Sequence, residues 1–159
     1  MAVDMFLKID GIKGESNVKG REGSIDILSF GWGAVNPVVM GDGSGSGAGK
    51  AQLQDFSFVK EPDLATAKLF KGVVTGEHYP EATLTLVKVG QIQQEFMKIK
   101  FSDIIVTSYQ TGGSAGAVPA EQCSLSFSRV DLSTADQKAD GSIGSWETIG
   151  WDVAKNASL

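Results

Sequence analysis

Alternating apolar and polar residues along most of the chain, only one segment with helical spacing, and 20 glycines against 4 prolines predict a mostly-β protein. The expected architecture is one β-barrel domain spanning residues 1–159, with a short α-helix at about 63–75 and an extended Gly-rich loop at about 36–50. A β-sandwich is the second choice. The length suits one domain with a substantial core.

The first strand places Val3, Met5, Leu7 and Ile9 on one face and Asp4, Phe6, Lys8 and Asp10 on the other. A polar loop, Gly11 to Gly23, follows. Ser24 to Val35 reads as one long strand with a bulky face (Leu28, Phe30, Trp32) and a nearly bare one (Ser29, Gly31, Gly33). Such a strand packs one side into a core, and its bare side lies against another backbone or lines an open space. The loop GDGSGSGAGK interrupts alternation. Loops of this length are uncommon in compact domains and usually serve an interaction.

Alternation resumes from Ala51 to Lys60, with Phe56 and Phe58 on one face. Asp63 is placed to cap a helix, because its carboxylate can accept free N–H groups of the first turn. Leu64, Ala67, Phe70 and Val74 recur at helical spacing, with Leu69 and Val73 widening the stripe, and Gly76 suits the left-handed C-cap. Further strands are expected at Ala82–Val89, Glu95–Phe101, Ile104–Gln110, Glu121–Val130 and Ser145–Val153. Gly112-Gly113 and Asp140-Gly141 supply turn signals between the later ones.

The 19 acidic against 14 basic residues leave a net charge of -5, and no Lys/Arg cluster is present. Nucleic acid and anionic membrane surfaces are therefore not expected as main partners. The segment Met1 to Ile9 lacks the basic start and apolar run of a secretory signal. No stretch approaches the roughly 18 apolar residues of a membrane helix. The lone Cys123 cannot form an intrachain disulfide and suits assembly in a reducing cytoplasm.

Catalytic readings find little support. His78 is the only histidine, so a multi-histidine metal site is ruled out. A Cys123–His78 thiol dyad is opposed by the alternation of Cys123 with Leu125 and Phe127, which turns the thiol toward a core. The run ending in Gly49-Lys50 fails as a phosphate loop: Ser44 stands where the first glycine belongs, Ala51 where Ser or Thr belongs, and a strand follows in place of a helix. A calcium loop from Asp42 fails because Leu53 occupies the position of the bidentate glutamate. No enzymatic activity, metal or cofactor is expected.

Several motifs resemble the haemolysin-coregulated protein (Hcp) family, the tube subunit of bacterial type VI secretion. They are MAVDMFLKIDGIKGES, IDILSFGWG, GSGSGAGK running into LQDFSFVK, GEHYPEATLTLVK, FMKIKFSDIIVTS, TGGSAG, and QKADGSIG before GWD. They occur in the family's order over essentially the whole chain. The resemblance implies a structural, ring-forming subunit whose hexamers stack into a tube that a contractile sheath drives outward behind a spike protein. It further implies assembly in the bacterial cytoplasm, secretion without a signal peptide, and a lumen able to carry small effector proteins.

On this resemblance Val38, Val39, Met40, Gly41, Asp42, Gly43, Gly45, Gly47, Gly49 and Lys50 are candidates for ring-on-ring stacking. Ser29, Gly31 and Gly33 are candidates for the lumen. The chain departs from the family pattern at Glu61-Pro62-Asp63, at Val87 and in LSTADQKADG, sites expected near interfaces. A monomeric β-barrel ligand-binding module is the alternative, and a thiol-dependent hydrolase is a more distant one.

Overall fold

The apolar alternations become strands that share one core. The computed structural model describes residues 2–37 and 49–159. In chain order these form β1 (Val3–Ile9), β2 (Ile25–Asp26), β3 (Ser29–Gly31), β4 (Ala34–Val35), β5 (Gln52–Leu53) and β6 (Phe56–Lys60). The helix α1 (Thr66–Thr75) follows, then β7 (His78–Lys88), β8 (Gln94–Gly112), β9 (Ala120–Gln137), β10 (Ile143–Asp152) and β11 (Ala157–Ser158). The expected mostly-β class is what the chain adopts, with a single short helix among the described residues.

The main ladder runs β11-β10-β9-β8-β7-β1-β2, and β6 joins the N-terminal half of β9 with β3 outside it. Among the described residues this path does not return to its start, so the sheet wraps its core in a barrel-like way without closing by hydrogen bonds. β4 and β5 form a separate pair, with Ala34 opposite Leu53 and Val35 opposite Gln52.

Register explains the core. Leu7 lies opposite Leu84, which faces Ile99, which faces Leu132, which faces Ile149. Period-2 geometry puts all five on one side of the sheet. A second inward row joins Phe30, Phe58, Cys123 and Tyr109. Between the rows, Phe56 and Phe101 approach to 4.8 Å between ring centroids, and Phe101 and Phe127 to 4.7 Å. The interior that a monomeric ligand carrier would need is thus filled with aromatic side chains.

Three expectations change. The long strand Ser24–Val35 is broken into β2, β3 and β4. Ile27 N–H donates to the Met5 carbonyl while the next N–H, of Leu28, donates to the Val59 carbonyl. The chain therefore crosses from one part of the sheet to another at this point, and the inward phase moves from Ile25 and Ile27 to Phe30 and Trp32. Leu28, expected in the core, falls at the crossing and is 54% exposed. Phe30 and Trp32 do pack against the core, Trp32 edge-on to Phe101 at 5.8 Å.

The expected strands Glu95–Phe101 and Ile104–Gln110 are one 19-residue strand, β8. Asp103 adopts a left-handed φ of 53°, and the buried phase passes from Ile99 and Phe101 to Ile104 and Val106. One strand thereby serves both halves of the sheet.

The helix also begins later and turns a different face inward. Ala65, Leu69 and Gly72 are buried. Leu64, Phe70 and Val74 are 62%, 54% and 63% exposed, so most of the predicted stripe points out. Gly72 permits this phase, since an added Cβ would meet Val106 Cγ2 at 3.1 Å and the Tyr79 hydroxyl at 3.2 Å. Val87, expected near an interface, is buried in β7.

Candidate functional site

The outward face of the β3–β6–β9–β8 segment is built of small polar side chains. Gly31 lies opposite Ser57 and Ser57 opposite Ser124, which pairs with Ser108. The neighbouring row runs Ser29, Val59, Gln122 and Gln110. Each of these residues alternates with a core residue, so burying the aromatic row forces the small row outward.

Hydroxyl contacts tie the face together. Ser57 Oγ donates to the Gly31 carbonyl at 3.2 Å. The Ser124 hydroxyl lies 2.6 Å from that of Ser108 and 2.7 Å from that of Thr107, which donates to Asp55 Oδ2 at 2.9 Å. The surface is smooth, polar and nearly uncharged. Of the lumen candidates, Ser29 and Gly31 are exposed on this face and Gly33 is half-buried beside Gln54. Ser57, Ser108, Ser124 and the glutamine pair were not singled out from sequence. Ser57 and Ser124 have a signal in FSFVK and CSLSF, where serine alternates with bulky apolar residues; Ser108, Gln110 and Gln122 join the face through strand register.

Of the stacking candidates, Val38, Val39, Met40, Gly41, Asp42, Gly43, Gly45 and Gly47 lie outside the described residues. Lys50 is exposed and Gly49 half-buried. A Cβ on Gly49 would sit 2.3 Å from the Pro37 carbonyl oxygen, so a glycine is required there. The β4–β5 pair and this close approach bring the two ends of the Gly-rich segment side by side.

Behind the small-residue face is a buried ionic cluster. Lys60, fully buried, donates from Nζ to Asp63 Oδ1 at 2.9 Å, Glu121 Oε1 at 3.1 Å and the Glu61 carbonyl at 3.0 Å. Thr66 Oγ1 donates to Glu121 Oε1 at 2.5 Å and accepts from the Asp63 N–H at 2.9 Å. The Asp63 carboxylate in turn accepts the Ala65 N–H at 2.8 Å. This reciprocal pair closes the turn ahead of α1 and binds it to β6 and β9; the helix N-cap is Ala65, not the expected Asp63, and carries no side-chain cap.

The thiol dyad does not form. Cys123 is fully buried, and burial pushes its thiol up to about 12, so it is not a thiolate at neutral pH. His78 is exposed on β7 and pairs with Asp103 Oδ1 at 3.0 Å.

The chain matches the family described as type VI secretion system effector, Hcp, over residues 6–133. The chain belongs to the Hcp family. It is 41% identical to Protein hcp1 of Pseudomonas aeruginosa over 159 residues, covering 98% of both chains. Its fold matches a solved type six secretion system protein with TM-score 0.94 at 29% identity, covering 99% of this chain and 100% of the other. It also matches Hcp1 from Salmonella typhimurium with TM-score 0.81 at 32% identity over all of both chains.

Membership places this Hcp chain among structural proteins of type VI secretion, a family of secreted proteins. No helix among the described residues is long and apolar enough to cross a membrane.

Proposed function

We propose that this Hcp protein is a non-enzymatic, ring-forming subunit of the type VI secretion inner tube, and that the small-residue face built around Gly31 and Ser57 lines the lumen. The observation that carries this reading is that face itself. A hollow ring needs an inner wall that does not fill its own opening, and the two rows from Gly31 to Ser108 and from Ser29 to Gln110 carry only small or uncharged side chains.

A closed ring uses a heterologous interface, in which one patch of each subunit meets a different patch of the next. Closure also covers sheet edges that would otherwise template aggregation. The Gly-rich segment 36–50 is the proposed stacking arm, with Gly49 and Lys50 at its described end. On this reading the contractile sheath surrounds the tube, the spike protein leads it, and small effector proteins occupy the lumen. Subunits assemble in the bacterial cytoplasm and leave without a signal peptide.

Negative-stain microscopy and native mass of the purified protein provide the test. Rings with an open centre are expected, and compact monomers at micromolar concentration would overturn the proposal. A Gly31→Gln variant tests the lumen face: its Cβ would lie 3.2 Å from Ser57 Oγ, a contact that a serine rotamer change relieves. Intact rings with impaired effector loading are expected; loss of folding would place the position in the core.

A further inference from the structure

The apolar row that begins at Leu7 runs out of cover before it ends. Leu7 and Leu84 are fully buried, Ile99 is 1% exposed, Leu132 is half-buried, and Ile149 at the end of the row is 65% exposed. All five lie on the inward side of the sheet by register. β10 therefore extends the core face past the elements that cover it, leaving an apolar overhang. Glu147 lies two residues from Ile149, on the same side, opposite Thr134 and next in register to Met97.

The outer face of α1 has the complementary character. Ala67, Phe70 and Val74 are exposed on it, Leu64 is exposed in the turn just ahead of it, and Lys71 lies within the stripe, one turn from both Ala67 and Val74. Phe70 is held in place by an edge-on contact with Tyr109 at 6.0 Å. The helix cannot rotate to bury this stripe, because Leu69 and Gly72 are packed on its other side and the Lys60–Asp63–Glu121 cluster fixes its first turn. Among the described residues, neither Lys71 nor Glu147 has an oppositely charged side-chain partner within 4.0 Å.

We infer that these two patches are the halves of one heterologous contact: the outer face of α1 in one subunit covers the β10 overhang around Ile149 in the next, with Lys71 against Glu147. The inference rests on the ring reading above and specifies its interface. A second copy of this chain is the occupant because each patch supplies what the other lacks. One is a convex apolar stripe carrying a cation, and the other is an uncovered apolar sheet face carrying an anion. Head-to-tail pairing of unlike patches is the geometry that closes a ring, whereas pairing either patch with itself would set like charges together. A stable interface buries about 800 Å² per partner. The two patches are thus the apolar centre of a larger contact.

Cysteine cross-linking tests the pairing directly. Both positions of a Val74→Cys/Ile149→Cys variant are exposed, and the native Cys123 is buried away from them. Under copper-catalysed air oxidation, this variant is expected to give a ladder of covalent multimers on a non-reducing denaturing gel. Each single variant is expected to stay monomeric. Lys71→Glu and Glu147→Lys are each expected to raise the concentration needed for rings at least tenfold without lowering the melting temperature, and their combination restores assembly.

Rings in native mass with no ladder, or rings indifferent to both charge reversals, would overturn this pairing while leaving the ring reading standing. A monomeric wild-type protein would overturn both.

Discussion

Lys60 shows how much one buried charge can organise. Its ammonium is removed from water and meets Asp63, Glu121 and a backbone carbonyl, which offsets the desolvation cost. Removing it strands two carboxylates, one of which, Glu121, already has a buried Oε2 without a partner. Lys60→Met should therefore lower unfolding free energy by about 3–5 kcal/mol in chemical denaturation. A Lys60→Met/Glu121→Leu double variant should lose less than the single one, because it leaves one fewer uncompensated charge.

Cys123 gives a pH prediction. Its folded-state value, about 12, is raised above the ordinary 9.0 by burial. The folded protein thus favours the protonated thiol. The stabilising contribution is complete below pH 9 and is lost as pH rises from 9 toward 12. Cys123→Val should flatten the fall in melting temperature across that window. A thiol reagent at pH 8 should react with the native protein only through unfolding.

At the scale of elements, α1 ends on a glycine C-cap. Gly76 adopts φ 66° and donates its N–H to the Gly72 carbonyl at 3.0 Å. No atom lies within 4 Å of a Cβ added there, so Gly76→Ala introduces backbone strain without a clash. The expected cost is about 1 kcal/mol, read as a lower denaturation midpoint with rings retained. Gly76 was legible in the sequence because a left-handed C-cap depends on local backbone geometry; Asp63, expected as the N-cap, instead closes the turn ahead of the helix, whose N-cap is Ala65. The rotation of the helix was not legible. Both Leu64-Ala67-Phe70-Val74 and Ala65-Leu69-Gly72 satisfy helical spacing, and only contact with Tyr79, Val106 and Glu121 selects the second as the buried face.

For the whole molecule, length and register decide what the sheet can do. β8 and β9 pair from Met97 with Thr134 to Gly112 with Ala120, so each strand supplies inward residues to both halves of the core. In the proposed ring, neighbouring subunits would supply the contacts that the isolated chain lacks. Deleting Val38 to Ala48 should abolish tubes in electron micrographs and spare rings; persistence of tubes would remove the stacking role from this segment.

The sequence by itself determined the β class, the existence and C-cap of the helix, the inward placement of Cys123, and the small-residue face around Ser29 and Gly31. Each follows from local periodicity or backbone preference, which neighbouring residues in the chain encode. Tertiary structure alone decided the break at Leu28, the fusion of two expected strands through Asp103, the phase of α1, and the uncovered end of the apolar row at Ile149. In each case the outcome depends on which distant strand accepts a hydrogen bond or how far a covering element reaches. Alternation along one strand carries neither quantity.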